Sequence, residues 1–93
     1  MRTVERTVQF KRDYKRETKG RYRATLVADL SPVIDALMVD QPLDARHRDH
    51  ALVGNWRDHR DCHIKPDLVL IYRLPDAQAL PLVRLGSLAE LGL

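Results

Sequence analysis

The sequence predicts an α+β domain with the element order β-α-α-β-β-β-α, a small antiparallel sheet with two helices packed on one face. Three observations predict it. Three strand-like segments crowd the C-terminal half, separated only by Lys65-Pro66 and Pro75-Asp76, and connections that short join antiparallel neighbours. Before them, Tyr22, Leu26, Leu30, Val33, Ile34, Leu37 and Met38 recur at three- and four-residue spacing, the signature of an amphipathic helix. The chain has 93 residues, enough for one hydrophobic core but not for two, so residues 1–93 are read as a single domain.

Taken in order, Thr3 to Gln9 reads as a short first strand, with Val4 and Val8 facing inward. Phe10 to Lys19 reads as a basic helix: Phe10 and Tyr14 stand four apart, and Gly20 is a suitable C′ stop. Residues 22–40 form the main amphipathic segment. Ser31-Pro32 has the form of an N-cap followed by proline at the first helical position, so a break is expected near Leu30. Residues 41–55, with Pro42, Asp44, Asp49, Gly54 and Asn55, read as a loop. Trp56–Ile64, Asp67–Leu74 and Ala79–Leu85 are the three strands. The second is the most apolar and is expected at the centre, paired on both sides. Ser87 caps a last turn of helix, Ser87–Leu91.

Hydrophobic residues make up 44% of the chain and charged residues 31%, a balance that fits a folded globular protein and not a disordered one. The longest unbroken apolar run, Leu68–Tyr72, is far too short to span a membrane. The N-terminus carries no apolar signal-peptide region, and the single cysteine, Cys62, has no internal partner; the cytoplasm is the expected compartment. The net charge of +3 hides a strong asymmetry: residues 1–23 carry +6 and residues 24–45 carry −4. Such a basic quarter suits a polyanion. The same run also reads as a solvated helix face.

Chemistry concentrates elsewhere. His47, His50, His59 and His63 all fall in one 17-residue window with Trp56 and Cys62. Zinc ligation is opposed by geometry, because residues four apart on a strand lie roughly 13 Å from each other. On a strand, His59, Asp61 and His63 would share one face. Imidazole suits proton transfer near neutral pH, and Asp61 or Asp67 could orient it. The other reading of these residues is an exposed polar strand face. Trp56 reads either as a core anchor or as a stacking platform.

Residues 49–74, DHALVGNWRDHRDCHIKPDLVLIYRL, resemble the YafQ branch of the RelE superfamily, the mRNA interferase toxins of bacterial type II toxin–antitoxin pairs. The length and element order match across almost the whole chain. The resemblance implies a RelE-like fold, cleavage of mRNA in the ribosomal A site without metal or other cofactor, and neutralisation by a cognate antitoxin. It implies catalytic roles for His50, His63, Asp67 and Arg84, with Trp56 beside them. Lys11, Arg12, Lys15, Arg16 and Lys19 would then contact ribosomal RNA phosphates. One position departs from the pattern: Leu88 stands where the motif carries a histidine, and leucine can neither donate nor accept a proton. Either the chain is a weak or inactive nuclease, or a neighbouring histidine does that work. The competing readings are an inactive toxin that still binds an antitoxin, and a ParE-like gyrase inhibitor; His47 lies outside the matched motif in every case.

Overall fold

A computed structural model describes all 93 residues. Five strands and three helices follow in the order β1 (Thr3–Arg6), α1 (Val8–Glu17), α2 (Leu26–Met38), β2 (His50–Ala51), β3 (Arg60–Lys65), β4 (Leu68–Tyr72), β5 (Ala79–Gly86) and α3 (Leu88–Leu91), with two 3-10 turns at Ala45–His47 and Gly54–Trp56. The sheet order is β1-β5-β4-β3-β2. The last three long strands pair antiparallel, and β4 is internal, as its apolar run requires. The α+β architecture therefore stands. The sheet is mixed, however, because β1 pairs parallel to β5.

All five residues of β4 are buried. Leu68, Leu70 and Tyr72 face the main core, with Phe10 of α1 and Leu26, Leu30, Val33 and Leu37 of α2. Val69 and Ile71 face the other way, against Leu91 of α3 and the half-buried Leu52, Trp56, Val83 and Leu88. Burial on both faces replaces the alternation of a half-exposed strand with a continuous apolar run. The two large helices cover one face; α3 lies on the opposite one.

The chain turns into α1 three residues earlier than the strand pattern predicts. Thr7 caps the helix, accepting from the Phe10 N–H at 2.9 Å, and its hydroxyl donates to the Val83 carbonyl at 2.8 Å. Val8 is consequently an exposed helical residue and not an inward strand residue. The helix ends at Thr18, before Gly20. The edge of β5 that β1 leaves bare is completed by α1 side chains. Asp13 accepts from the Leu85 N–H at 3.0 Å, and Arg16 donates to the Leu85 carbonyl at 3.0 Å. Burial pushes the Asp13 carboxyl up, but hydrogen bonds from Arg84, the Leu85 N–H and Gln9 outweigh it and hold it below the usual carboxylate range.

The expected break near Leu30 is absent: α2 runs unbroken through Pro32. An internal proline costs about 3 kcal/mol. Leu26, Leu30, Val33 and Leu37 are each at most 6% exposed, and burying such side chains contributes about 1.5–3 kcal/mol apiece. Ser31 and Pro32 lie on the solvent side, so the buried stripe passes them by. The strand predicted at Trp56 starts only at Arg60. Gly54 (φ 68°) and Asp58 (φ 68°) both occupy left-handed backbone, which folds 54–58 into a turn.

At the C-terminus, Ser87 and Glu90 form a reciprocal capping box, with both side chain–backbone bonds at 3.1 Å. This secures a four-residue helix that is too short to persist alone.

Candidate active site

The site forms on the sheet face turned away from α1 and α2. On β3, Cys62 and Ile64 point into the main core, so Asp61 and His63 point to the opposite face. The Cys62 thiol is fully buried and its pKa is pushed up by burial. This face is the one that carries Val69 and Ile71, the register partners of His63 and Asp61. His59 precedes the strand and does not share the alternation predicted for it; its ring packs edge-on against Trp56 at 5.3 Å.

His50 reaches the same face from the edge strand, where β2 pairs it directly with Asp61. Two devices hold it there. On the core side, the neighbouring Asp49 accepts from the buried Tyr72 hydroxyl, and Arg60 Nε donates to that hydroxyl at 3.2 Å. Burial and the Asp49 carboxylate both push the Tyr72 pKa up. On the site side, His50 Nδ1 lies 2.6 Å from the Arg48 carbonyl and 3.1 Å from Asp61 Oδ1. A carbonyl only accepts, so Nδ1 carries its proton toward Arg48, and the Asp61 carboxylate lies close to Nδ1 without an aligned hydrogen bond. Asp61 Oδ1 is accordingly buried without a hydrogen-bond partner. His63 has the same tautomer, with Nδ1–H toward the Pro66 carbonyl at 3.2 Å. In both rings Nε2 is left to act as base or, once protonated, as acid. Burial raises the Asp61 pKa against the opposing pull of His50 and His63.

Trp56 and Leu88 complete this face. Trp56 Nε1 donates to the Leu91 carbonyl at 3.2 Å, tying α3 down, and both side chains pack on the Val69–Ile71–Leu91 cluster.

The other expected residues lie apart. Asp67 is exposed in the β3–β4 turn and lines a recess with Arg16, Tyr22, Ser87 and Glu90. No hydrogen bond links it to either imidazole, so Asp61 is the carboxylate beside the histidines. Arg84 is held by buried Asp13, with Nε to Oδ2 at 2.7 Å. On α1, Lys11, Arg12 and Lys15 are exposed, as is Lys19 just beyond it. Arg16 is engaged instead with Asp13, Glu17 and Glu90. His47 is buried, and its Nδ1–H donates to the His63 carbonyl at 2.6 Å. The sequence leaves Asp61 and Asp67 open and the family resemblance points to Asp67; the i, i+2 spacing of Asp61 and His63 on one strand is the signal for the carboxylate that the fold places beside His50. Sequence reasoning missed Asp49, whose partner Tyr72 is 23 residues away. No group of three or more His, Cys, Asp or Glu residues is arranged to hold a metal. No helix is long and apolar enough to cross a membrane.

Residues 2–92 match the family described as bacterial toxin of type II toxin–antitoxin system, YafQ. The mRNA interferase toxin YafQ of Escherichia coli K12 is 30% identical over 90 residues, covering 95% of this chain and 97% of that protein. A YafQ toxin of Haemophilus influenzae is 42% identical over 65 residues, 70% of this chain and 64% of the length of that protein. Among solved structures, the YafQ chain of the E. coli DinJ–YafQ toxin–antitoxin complex superposes with a TM-score of 0.82 at 35% identity, covering 97% of this chain and 96% of that one. A metal-bound toxin from Helicobacter pylori superposes with a TM-score of 0.87 at 39% identity, covering 98% and 99%.

Proposed function

The chain belongs to the YafQ family of bacterial type II toxin–antitoxin toxins, and from that membership and the site's geometry we propose that it is a cytoplasmic endoribonuclease acting on mRNA in the ribosomal A site. The observation that carries the proposal is the placing of His50 against buried Asp61, with His63 two residues along the same strand face. Cleavage of RNA by its own 2′-hydroxyl needs a base for that proton, an acid for the departing 5′-oxygen, and positive charge for the phosphorane. The O2′–P bond forms as the P–O5′ bond breaks, leaving a cyclic phosphate and a 5′-hydroxyl. His50 and His63 are assigned the two proton transfers through Nε2. Asp61 stands against His50 as the buried carboxylate of the site; Trp56 walls or stacks on a splayed base. Arg84, anchored through one side of its guanidinium, supplies charge to the phosphate, and Asp67 orients the turn that follows His63. None of these roles calls for a metal.

The basic surface of Lys11, Arg12, Lys15 and Lys19 is assigned to ribosomal RNA, with Arg16 bracing the helix against β5. A cognate antitoxin covers the basic helix or the histidine face, and binding to it does not depend on proton transfer.

A second reading has its own support. Leu88 occupies the face beside Trp56 and packs on an apolar cluster, so the position where the family motif carries a histidine has no proton to offer. On this reading the chain keeps antitoxin binding and cleaves weakly. Ribosome-dependent cleavage of a defined mRNA, wild type beside Leu88→His, separates the two. We expect the substitution to raise the rate about 10²-fold or more, the scale of a positioned acid or base. Equal rates would remove position 88 from the chemistry and leave it to His50 and His63. If neither version cleaves, the endoribonuclease assignment fails.

A further inference from the structure

The edge of β3 is only half covered. β2 pairs with Arg60 and Asp61 alone, and beyond them the strand edge is met only by His47, at the His63 carbonyl. A cleft of about 540 Å³ opens there, between the 3-10 turn at 45–47, the β3–β4 turn and Asp29 of α2. That size falls among ligand clefts, roughly 300–1,000 Å³.

Its lining is cationic. Arg46, Arg48 and Lys65 converge on it with His47 and His63, against one carboxylate, Asp29, and Ile64 and Pro66 are its only apolar side chains. Lys65 pairs with Asp29. Arg46 and Arg48 are exposed and appear in no ion pair. Arg48 is also held in left-handed backbone, φ 47° and ψ 42°, at about 1–2 kcal/mol for a residue with a Cβ. Strain of this kind gathers at functional sites. Because His63 lines the cleft and also stands on the active face, the two are continuous.

Resting on the endoribonuclease reading above, we infer that this cleft is a subsite for the RNA strand leading away from the scissile bond, its phosphodiesters held by Arg46 and Arg48. A planar guanidinium matches a phosphate with two parallel donors. An acidic peptide of an antitoxin would also meet these charges. A tight protein interface, however, would bring apolar anchors to a pocket that fits them, and this lining offers only Ile64 and Pro66 among charged and imidazole side chains.

The test uses a fluorescent single-stranded 2′-O-methyl RNA octamer, which lacks the attacking hydroxyl and so reports binding whatever the cleavage rate. Anisotropy titrations across a salt series compare the wild-type chain, Arg46→Gln with Arg48→Gln, and Arg6→Gln on the far edge strand. We expect the double variant to bind about 10-fold more weakly and to lose about 1.4 from the slope of log affinity against log salt, two single-strand phosphates at about 0.7 each. Arg6→Gln should bind as wild type, and all should melt alike. Co-sedimentation with ribosomes free of mRNA tells the RNA sources apart, and should be unchanged. Loss of ribosome binding with octamer binding intact would assign the phosphates to ribosomal RNA and overturn the inference. Loss of antitoxin affinity alone would overturn it in favour of a peptide. Unchanged octamer affinity and slope would overturn it outright while leaving the nuclease reading standing; a wild-type chain with no salt-dependent octamer binding would overturn both.

Discussion

Replacing Asp61 with asparagine should make the protein more stable and less active. The carboxylate is 2% exposed, its Oδ1 lacks an aligned donor, and burial raises its pKa despite His50 and His63. The sign of the pH effect follows from that direction. The unfolded carboxyl titrates near 3.9 and the folded one above it. Between the two values the folded state binds more protons than the unfolded state, so stability falls as pH rises through this window and stays reduced above it. Asp61→Asn removes the buried charge at nearly constant shape. An unsatisfied buried polar group costs about 1–3 kcal/mol. The amide still carries polar atoms, so the gain belongs at the low end, about 1 kcal/mol. For a domain of this length that is about 4–8 °C in Tm. Circular dichroism melts at pH 7 should show the increase, and melts taken down through the carboxylate range should show it shrink as Asp61 itself becomes neutral. In a Leu88→His background, cleavage should fall, because His50 loses the buried carboxylate it stands against. A lower Tm at pH 7, or an increase that persists unchanged in acid, would refute the reasoning and make the ionised carboxylate a net anchor of β2 to β3.

Other substitutions probe different joints. His50→Ala or His63→Ala, in the Leu88→His background, should each cost about 10²-fold in ribosome-dependent cleavage, and a loss below threefold would remove that residue from proton transfer. His47→Ala should lower stability by about 1–2 kcal/mol in urea titration, because a buried side chain is deleted and the His63 carbonyl loses its donor, while costing little in cleavage, since His47 lies outside the matched motif. Pro32→Ala should raise stability by about 1–3 kcal/mol by restoring the N–H that bonds the Ala28 carbonyl, and a loss would mean that the helix is distorted to suit the ring. Asp13, whose pKa is held low, stabilises the fold above about pH 4 and stops doing so as pH falls through its folded value. Asp13→Asn should therefore destabilise at neutral pH by about 3–5 kcal/mol, the scale of a broken buried ion pair, and flatten the acid limb of an unfolding curve.

What the sequence disclosed depended on how local the physics was. β4 was legible because burial on both faces writes itself as LVLIY. The terminal capping box was half legible, since Ser87 announces it and Glu90 completes it three residues later. The parallel β1–β5 pair was not legible, because its register joins residues about 76 positions apart, Thr3 with Ala79, and no short-range pattern encodes that. Pro32 misled for the same reason in reverse: a strong local break signal was outvoted by a buried stripe contributed by the whole sheet. Asp13 read as one acid among basic residues, although in the fold it is the most constrained carboxylate of the chain.

The site divides along the same line. The alternation of β3 placed Asp61 and His63 on one face, but the family resemblance pointed to Asp67, and only the pairing of β2 with β3 shows that Asp61 is the carboxylate beside His50. His50 was legible only through the 49–74 string, because nothing in its neighbours marks a two-residue strand. Asp49, just before β2, is gripped on the core side by the Tyr72 hydroxyl, and His50 is placed on the opposite face by its pairing with Asp61. The core thus orients the edge histidine through a single peptide unit. The position of His50 is therefore fixed by the packed core and not by the edge strand alone.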